Sequence, residues 1–184
     1  MTADHNDYDL AVESDVNRML TAAKPDIFIH LAAYVGGIGA NQALPADFLF
    51  CNTLLTVHAF DAAAKHGIQK LIFPMGGCSY PSNAPSPISE EEMWNGYPQP
   101  ERAPYSVAKK LGLVASDSYQ RQFGLKSVVL IPGNMYGEYD NFRRNESHVI
   151  PAMIRRFHEA AVNGEGQVKM WGTGNPIRDF IYAG

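Results

Sequence analysis

The feature that most constrains the fold of this chain is the alternation of short apolar runs with longer helical patterns. Each run is apolar with little alternation, which is typical of strands buried in a parallel sheet. The four runs are Asp26–Ala33, Lys70–Met75, Ser127–Pro132 and Val168–Trp171. Because strand and helix alternate along the chain, the sequence predicts an α/β fold with a doubly wound parallel sheet.

Four helical patterns separate or follow these runs, and each has a residue that ends it. The predicted helices are Asp15–Ala23, Pro45 to about His66, about Pro104 to Phe123, and roughly Val149–Val162. Ser14 is the expected N-cap of the first helix, and Pro25 stops it. Gly67, Gly124 and Gly164 follow the ends of the other three, where glycine is a common helix stop.

Three loops rich in Gly, Asn, Ser and Pro follow the predicted strands. They are Tyr34–Leu44, Gly76–Pro104 and Gly133–Ser147. Open α/β sheets bind ligands beyond the carboxyl ends of their strands, so the functional site is expected in these loops. The stretch Tyr80–Pro104 is long, Pro-rich and acidic, which is typical of a functional or disordered loop.

Composition excludes several classes of function for these 184 residues. The formal net charge of −4 argues against nucleic acid or an anionic membrane as the main partner. No apolar run approaches the ~20 residues that span a bilayer, and the polar, acidic start is unlike a signal peptide. With two cysteines, Cys51 and Cys78, the chain has neither a disulfide framework nor a metal-ligand cluster, and a reduced, cytoplasmic setting is expected.

The strongest chemical signal is Tyr105 followed four residues later by Lys109 at the start of a long predicted helix. This spacing places both side chains on one helical face. A phenol is a poor acid or base at neutral pH unless a neighbouring ammonium lowers its pKa, and the pair can then exchange a proton with a carbonyl or alcohol oxygen. Alone the pair is a weak signal, because a Tyr and a Lys one turn apart commonly form a solvated edge.

A series of short segments on both sides of this pair carries a family resemblance. In chain order they are His30–Ala33, Val35–Ile38, Ala40–Asn41, Pro45–Phe48, Asn52, Cys78, Tyr80–Pro81, Asn134–Gly137, Asp140–Phe142, Ser147–Pro151, Arg155–Phe157, Trp171–Gly174 and Arg178–Phe180. Over essentially the whole chain this order resembles the extended short-chain dehydrogenase/reductase family of NAD-dependent epimerases and dehydratases. Within that family it resembles the GDP-L-fucose synthase group.

The resemblance implies a nucleotide-sugar epimerase/reductase. It would convert GDP-4-keto-6-deoxy-D-mannose to GDP-L-fucose by epimerisation at C3 and C5 and NADP(H)-dependent reduction at C4. The implied architecture is a partial Rossmann-like catalytic domain over residues 1–136 and a partial substrate-binding region over 137–184. A homodimer with a GDP-sugar substrate, and without nucleic acid or membrane as partners, is expected.

Site residues carry over from the family by position. The catalytic set is Tyr105, Lys109, Cys78 and His148; the cofactor set is Tyr105, Lys109, Leu31, Ala32, Pro132 and Asn134; the substrate set is Asn134, Arg156, Trp171 and Arg178. Cys78 and His148 correspond to the residues that exchange protons beside the ketone, and Asn52 to the Asn of the family's proton-relay helix. Arginine forks suit a diphosphate, and an indole can pack on a flat ligand surface.

Structural readings of the same residues remain open. Cys78 could be a small buried hydrophobe, which is a common fate of a free cysteine. His148 could lie near a helix cap, and Trp171 could belong to the core. Arg155 and Arg156 could form a solvated helix face, and one of the two is expected to do so. His30 and Cys51 are assigned to packing.

Two features depart from the family pattern. Gly76 stands where the family has a Ser or Thr that hydrogen-bonds the reacting oxygen, and Ser79 is expected to point elsewhere. Losing such a donor typically costs ~10²–10³ in rate. No G-x-x-G-x-x-G turn is present, so the first βαβ unit is expected to be missing, with weak NADP(H) binding and exposed strand edges.

These departures keep two further hypotheses open. The chain could be an epimerase or keto-sugar-binding relative that has lost the reductive step. Alternatively, it could be an inactive fragment that associates with homologous subunits.

Overall fold

The computed structural model describes residues 2–143, 147–170, 172–175 and 177–184. Its helices and strands are, in chain order, α1 Glu13–Ala23, β1 Ile27–Ile29, α2 Ile38–Ala43, α3 Pro45–Lys65, β2 Lys70–Pro74, α4 Ala103–Phe123, β3 Ser127–Leu130, β4 Asn134–Tyr136, α5 Val149–Asn163 and β5 Phe180–Tyr182. Three 3₁₀ turns lie between β2 and α4, at Gly77–Ser79, Glu90–Trp94 and Pro100–Arg102.

The first three strands form one parallel sheet in the order β1-β2-β3. Phe28 pairs with Leu71, and Phe73 pairs with Val129. Helical crossovers join these strands, as parallel pairing requires. The predicted α/β fold with a parallel sheet is therefore confirmed.

One face of this sheet packs on the helices and the other lies open. Phe28, Leu71 and Phe73 point into a core shared with α1 and α3. Ile27 and Ile29, which alternate with Phe28, are 53% and 55% exposed. The expectation that this strand is buried is wrong for one face of β1, because the helices of the described residues cover only the other face.

The packing of α4 on β2 is unusually close. A Cβ atom added to Gly112 would lie 2.5 Å from Cε1 of Phe73, so glycine permits this approach of helix to strand. Thr56 Oγ1 of α3 donates to the carbonyl oxygen of Ala108, 3.2 Å away, and ties the two long helices together. These contacts hold the middle of α4 against β2 and α3.

Several predicted boundaries were wrong. Helix α1 begins at Glu13 with Val12 as its cap, because the carbonyl of Val12 already accepts from the N–H of Asp15 and Val16. The loop after β1 contains α2, in which Asn41 Nδ2 donates to the carbonyl oxygens of Gly36 and Gly37, 3.1 Å each.

The end of the chain also differs from expectation. Residues 168–170 form no strand with any described residue, and Trp171 lies outside the described residues. Instead β4 and β5, which were not predicted, pair in parallel with Asn134 opposite Phe180. Strands this short carry little sequence signal, and pairing across a long connection leaves none in the local pattern.

Candidate active site

The candidate site forms where the 3₁₀ turn Gly77–Ser79 lies against the first turn of α4. Two side chains lock these elements together: Ser106 Oγ donates to the carbonyl oxygen of Cys78 (2.9 Å), and Ser79 Oγ donates to that of Ser106 (3.2 Å). Both serines are fully buried. The hydroxyl of Ser79 therefore donates to a main-chain carbonyl oxygen. This agrees with the expectation that it points away from the reacting oxygen.

Gly76 sits between the two proton-carrying side chains of the site. A Cβ atom built on this residue would lie 3.1 Å from Sγ of Cys78 and 3.5 Å from Cε1 of Tyr105. The thiol and the phenol ring therefore border the same small space. The structure brings Cys78 and Tyr105 together, as their positions at a strand-end loop and a helix start predicted.

The environment of Tyr105 makes its phenol a weaker acid than a free tyrosine. Burial raises the pKa of Tyr105 to about 12, the negative charge of a Cys78 thiolate adds to this shift, and the Arg102 guanidinium opposes it. The sequence predicted a pKa lowered by Lys109. In the structure the ammonium of Lys109 lies 4.1 Å from the centre of the Phe73 ring, and it does not dominate the electrostatics of the phenol.

The pKa of Lys109 is also shifted from its usual value. Its side chain is 3% exposed, and burial lowers its pKa to about 8. A Lys with this pKa exchanges its proton near neutral pH, which suits a proton shuttle. The cation–π contact with Phe73 stabilises the charged form in an otherwise apolar site.

His30 follows β1 and contacts the same aromatic ring. Its imidazole stacks on Phe73 and packs edge-on against Phe28. Neither ring nitrogen has a hydrogen-bond partner among the described residues, and burial, then the charge of Lys109, lowers its pKa to about 3. This agrees with the predicted packing role of His30.

Asn52 acts as a clamp on the loop after β1. Its side-chain oxygen accepts from the N–H of Tyr34 (3.0 Å), and its Nδ2 donates to the carbonyl oxygens of Tyr34 (3.0 Å) and Phe48 (2.8 Å). Because the amide oxygen and both amide hydrogens are engaged, the observed geometry shows loop positioning. A relay role for Asn52 stays a prediction.

Four of the predicted cofactor positions lie just beyond the ends of β1 and β3. Leu31 and Ala32 follow β1, and Leu31 is 73% exposed. Pro132 lies between β3 and β4, and Asn134 opens β4, where its Nδ2 donates to the carbonyl oxygen of Asp179 (3.1 Å).

Three of the remaining predicted residues, His148, Arg156 and Arg178, lie on the surface. His148 caps α5 and is exposed, and Arg156 is exposed on the same helix. Arg178 Nη1 donates to the carbonyl oxygen of Ile177. Trp171 lies outside the described residues. The described contacts do not join His148, Arg156 or Arg178 to the pair of Cys78 and Tyr105, so their shared site stays a prediction.

One residue of the site was missed by the sequence reasoning. Arg102 ends the turn Pro100–Arg102, stands at the N-cap of α4 and interacts electrostatically with Tyr105. A cation directly before a helix N-terminus and three residues before the key Tyr was a usable signal, because that position opposes the helix dipole.

The described residues contain no group of three or more His, Cys, Asp or Glu side chains that could hold a metal ion. None of their helices combines the length and apolar character needed to cross a bilayer.

Known proteins resemble the chain over nearly its full length. The profile of the NAD dependent epimerase/dehydratase family matches residues 2–184. GDP-L-fucose synthase 1 of Arabidopsis thaliana is 40% identical over 178 residues, which are 97% of this chain and 55% of that protein. GDP-L-fucose synthase of Escherichia coli K12 is 42% identical over 82% of this chain and 47% of its own length. The chain spans about half the length of the curated relatives it matches.

Solved structures resemble the fold as well. A GDP-L-fucose synthetase from Naegleria fowleri bound to NADP superposes with a TM-score of 0.89 at 27% identity, over 99% of this chain and 59% of that one.

Proposed function

Because the chain belongs to the NAD dependent epimerase/dehydratase family, we propose that it acts on a GDP-4-keto-6-deoxy sugar as a GDP-L-fucose synthase does. The proposed reaction epimerises C3 and C5 and reduces C4 with NADP(H). Relatives named for GDP-L-fucose synthesis at about 40% identity support this choice of substrate class.

The observation that carries the proposal is the contact geometry around Gly76. A thiol and a phenol border one space at the carboxyl end of β2, where open α/β sheets bind their ligands. A thiol suits proton removal beside a ketone, and a phenol suits proton transfer to the ketone oxygen.

Each side chain has a distinct role in the proposed reaction. Cys78 takes or gives the proton at one carbon beside the ketone, and His148 does so from the opposite face. Tyr105 donates its proton to the C4 oxygen as that carbon is reduced. Lys109, whose pKa is about 8, returns a proton to Tyr105 near neutral pH.

The residues present fit a nicotinamide cofactor along the strand ends. The residues that would hold it are Leu31 and Ala32 after β1, Pro132 and Asn134 after β3, and Tyr105 and Lys109 on α4. Leu31 is strongly exposed, so the end of β1 is accessible to a ligand. When bound, NADPH supplies the hydride for the C4 carbon. The NADP-bound relative supports NADP(H) as the cofactor.

Arg156, Arg178 and Trp171 are proposed to hold the nucleotide diphosphate and its base, with Asn134 beside them. Arginine side chains that are exposed and near a ligand cleft can form bidentate contacts with phosphate oxygens. We further propose the domain division at residues 136 and 137; β4, at the end of the first domain, pairs across this division with β5 rather than with the three-stranded sheet.

A second candidate function is favoured by Gly76. The position lacks a hydroxyl, and the nearest candidate, that of Ser79, is engaged by the carbonyl oxygen of Ser106. Proton exchange at C3 and C5 needs Cys78 but no hydride transfer. An epimerase in which C4 reduction is slow is therefore the alternative.

We also propose that the protein forms a homodimer and works in a reducing compartment. The long helices α3 and α4 expose a row of apolar side chains: Leu49, Phe50, Val57, Val107, Leu111 and Val114. Two copies related by a twofold axis would bury matching rows. A cytoplasmic setting fits a mechanism that needs Cys78 as a free thiol.

The test uses the 184-residue chain with GDP-4-keto-6-deoxy-D-mannose in deuterated water. Loss of NADPH absorbance reports reduction, and deuterium uptake at C3 and C5 reports epimerisation. Tyr105→Phe should lower reduction by about 10²–10⁴-fold, whereas Cys78→Ser should mainly lower exchange. A wild-type chain that supports neither reaction would reject the proposed function, and exchange without NADPH oxidation would favour the epimerase.

A further inference from the structure

Cys78 follows a stretch of main chain that its own sequence restrains weakly. Gly76 and Gly77 precede it, and glycine loses more conformational freedom on folding than any other residue. A Cβ atom added to Gly77 would meet nothing within 4 Å, so this residue has open space on its side-chain face. The N–H of Ser79 donates to the carbonyl oxygen of Gly76 (3.0 Å), which closes the 3₁₀ turn locally but does not fix the turn against α4.

Tyr105, by contrast, is held by the helix that carries it. Helix α4 packs closely on β2 at Gly112, and Thr56 of α3 donates to the carbonyl oxygen of Ala108 (3.2 Å). The helix therefore has anchors that do not involve the turn Gly77–Ser79. The distance between the thiol and the phenol depends on what joins that turn to α4.

Two buried hydroxyls join the turn to the helix. Ser106 Oγ donates to the carbonyl oxygen of Cys78 (2.9 Å), and Ser79 Oγ donates to that of Ser106 (3.2 Å). Ser79 directly follows Cys78, and Ser106 directly follows Tyr105. The two hydrogen bonds therefore close a ring between the segments that carry the thiol and the phenol. Both serines are 0% exposed, so water does not compete for these bonds.

We propose that the serine pair, Ser79 and Ser106, positions Cys78 relative to Tyr105 for proton exchange beside the ketone. Neither serine touches the substrate or the cofactor in this role, because both hydroxyls donate to main-chain carbonyl oxygens. They are positioning residues, and they supply the restraint that the two glycines before Cys78 do not.

The inference rests on the proposed function and concerns its exchange step. The C–H bond beside the ketone breaks, its proton passes to the thiolate of Cys78, and its electron pair moves onto the ketone oxygen. Tyr105 hydrogen-bonds that oxygen, and a proton from His148 on the opposite face then forms the new C–H bond. The step needs the thiol and the phenol at a fixed separation, because they act on neighbouring atoms of one substrate.

The first measurement follows deuterium uptake at C3 and C5 of GDP-4-keto-6-deoxy-D-mannose in deuterated water, without NADPH. In Ser106→Ala the kcat for exchange should fall about tenfold or more, because small displacements of reacting groups cost large factors in rate. KM should stay close to wild type, since the serine pair includes none of the side chains proposed to hold the nucleotide. Ser79→Ala should act in the same direction.

Ser116→Ala is the matched control, because it removes a hydroxyl from the same helix ten residues beyond Ser106. Ser116 Oγ and Ser127 Oγ lie 2.7 Å apart and join α4 to β3. The urea midpoint of this variant reports the stability lost with such a hydrogen bond. Its kcat for exchange should equal that of wild type. A purely structural role of Ser106 would likewise leave the kcat of the folded variant unchanged.

A second measurement needs no substrate. Alkylation of Cys78 by iodoacetamide is timed by mass spectrometry of the digested chain, with Cys51 on α3 as the internal reference. Release of the turn exposes the thiol, so the Cys78 rate should rise several-fold in the double variant Ser79→Ala/Ser106→Ala while the Cys51 rate stays constant. Ser116→Ala should leave both rates unchanged.

With an active wild type, an unchanged exchange kcat in Ser106→Ala would overturn the inference, whatever the alkylation rates. If Ser106→Ala does not fold, Ser79→Ala decides the question on the same measurements, since it opens the same ring. A wild-type chain that exchanges no deuterium would reject the proposed function. The alkylation rates would then decide by themselves whether the serine pair holds Cys78, and equal rates in wild type and the double variant would overturn that as well.

Discussion

The imidazole of His30 stacks on the ring of Phe73 with the ring centroids 5.6 Å apart and the planes within 4° of parallel. Lys109 contacts the same ring through its ammonium, 4.1 Å from the centroid. Two basic side chains therefore share one aromatic neighbour inside the core, next to the candidate site. Each carries a lowered pKa, and each makes the stability of the chain depend on pH.

Stability should fall in acid because of His30. Its pKa is lowered from 6.5 to about 3 in the folded chain, so the unfolded chain binds the proton first as the pH falls below 6.5. The free energy of unfolding should drop by a few kcal/mol between pH 6.5 and 3, and His30→Phe should remove most of that dependence. Urea unfolding at several pH values measures it.

The exposed His5 offers a matched control for this experiment. His5→Gln should leave the acid dependence in place. An equally steep loss of stability in His30→Phe would show that another group is responsible.

Lys109 should lower stability at neutral pH. Its pKa falls from 10.5 to about 8 on folding, so the cost of burying the charge is full below pH 8 and disappears above 10.5. Lys109→Met should raise the free energy of unfolding by roughly 1–3 kcal/mol at pH 7, and by less at pH 10, while reduction is lost. A loss of stability at pH 7 would mean that the contact with Phe73 outweighs the burial cost.

The close approach of α4 to β2 should make Gly112 intolerant of a side chain. Gly112→Ala places a Cβ atom 2.5 Å from Cε1 of Phe73, so strain of roughly 1–3 kcal/mol should exceed the ~1 kcal/mol gain in helix propensity. Gly39→Ala is the control, because Gly39 lies in α2 with open space around it. Thermal unfolding should show a lower midpoint for the first variant and an equal or higher one for the second.

The sheet and long helices could be predicted because their signals are local. Lys70–Pro74 is a short apolar run, and Pro104 and Gly124 mark the two ends of α4. The exposure of Ile27 and Ile29 could not be predicted, because a continuous apolar run is typical of a strand that is covered on both faces. Which elements cover a strand is a property of tertiary packing.

The candidate site was predictable in part for the same reason. Cys78 follows strand β2, and Tyr105 lies in the first turn of helix α4. Their proximity therefore follows from the topology of the fold. The raised pKa of Tyr105 and the place of Lys109 over Phe73 depend on burial and ring geometry, which spacing does not encode. Arg102 was overlooked because no motif marks it, and its effect on the pKa of Tyr105 depends on the folded arrangement of charges.

The final prediction concerns Gly76, where a hydroxyl should favour reduction over proton exchange. The backbone of Gly76 has φ −88 and ψ 145, an extended conformation that serine adopts readily. Its new Cβ would press on Sγ of Cys78 at 3.1 Å, so the thiol must yield by a few tenths of an ångström. The new Cβ would lie 3.5 Å from Cε1 of Tyr105, and in the proposed reaction the hydroxyl on it would hydrogen-bond the C4 oxygen.

Reduction needs that oxygen aligned for hydride delivery, whereas the enolate formed during exchange already has Tyr105 as a partner. Gly76→Ser should therefore raise NADPH oxidation more than deuterium uptake at C3 and C5. Gly76→Ala supplies the Cβ without the hydroxyl, so it should disturb Cys78 and slow exchange without raising reduction. Equal gains in both reactions of Gly76→Ser would mean that the hydroxyl serves the enolate as much as the hydride step. No gain in either would mean that another group already holds the oxygen.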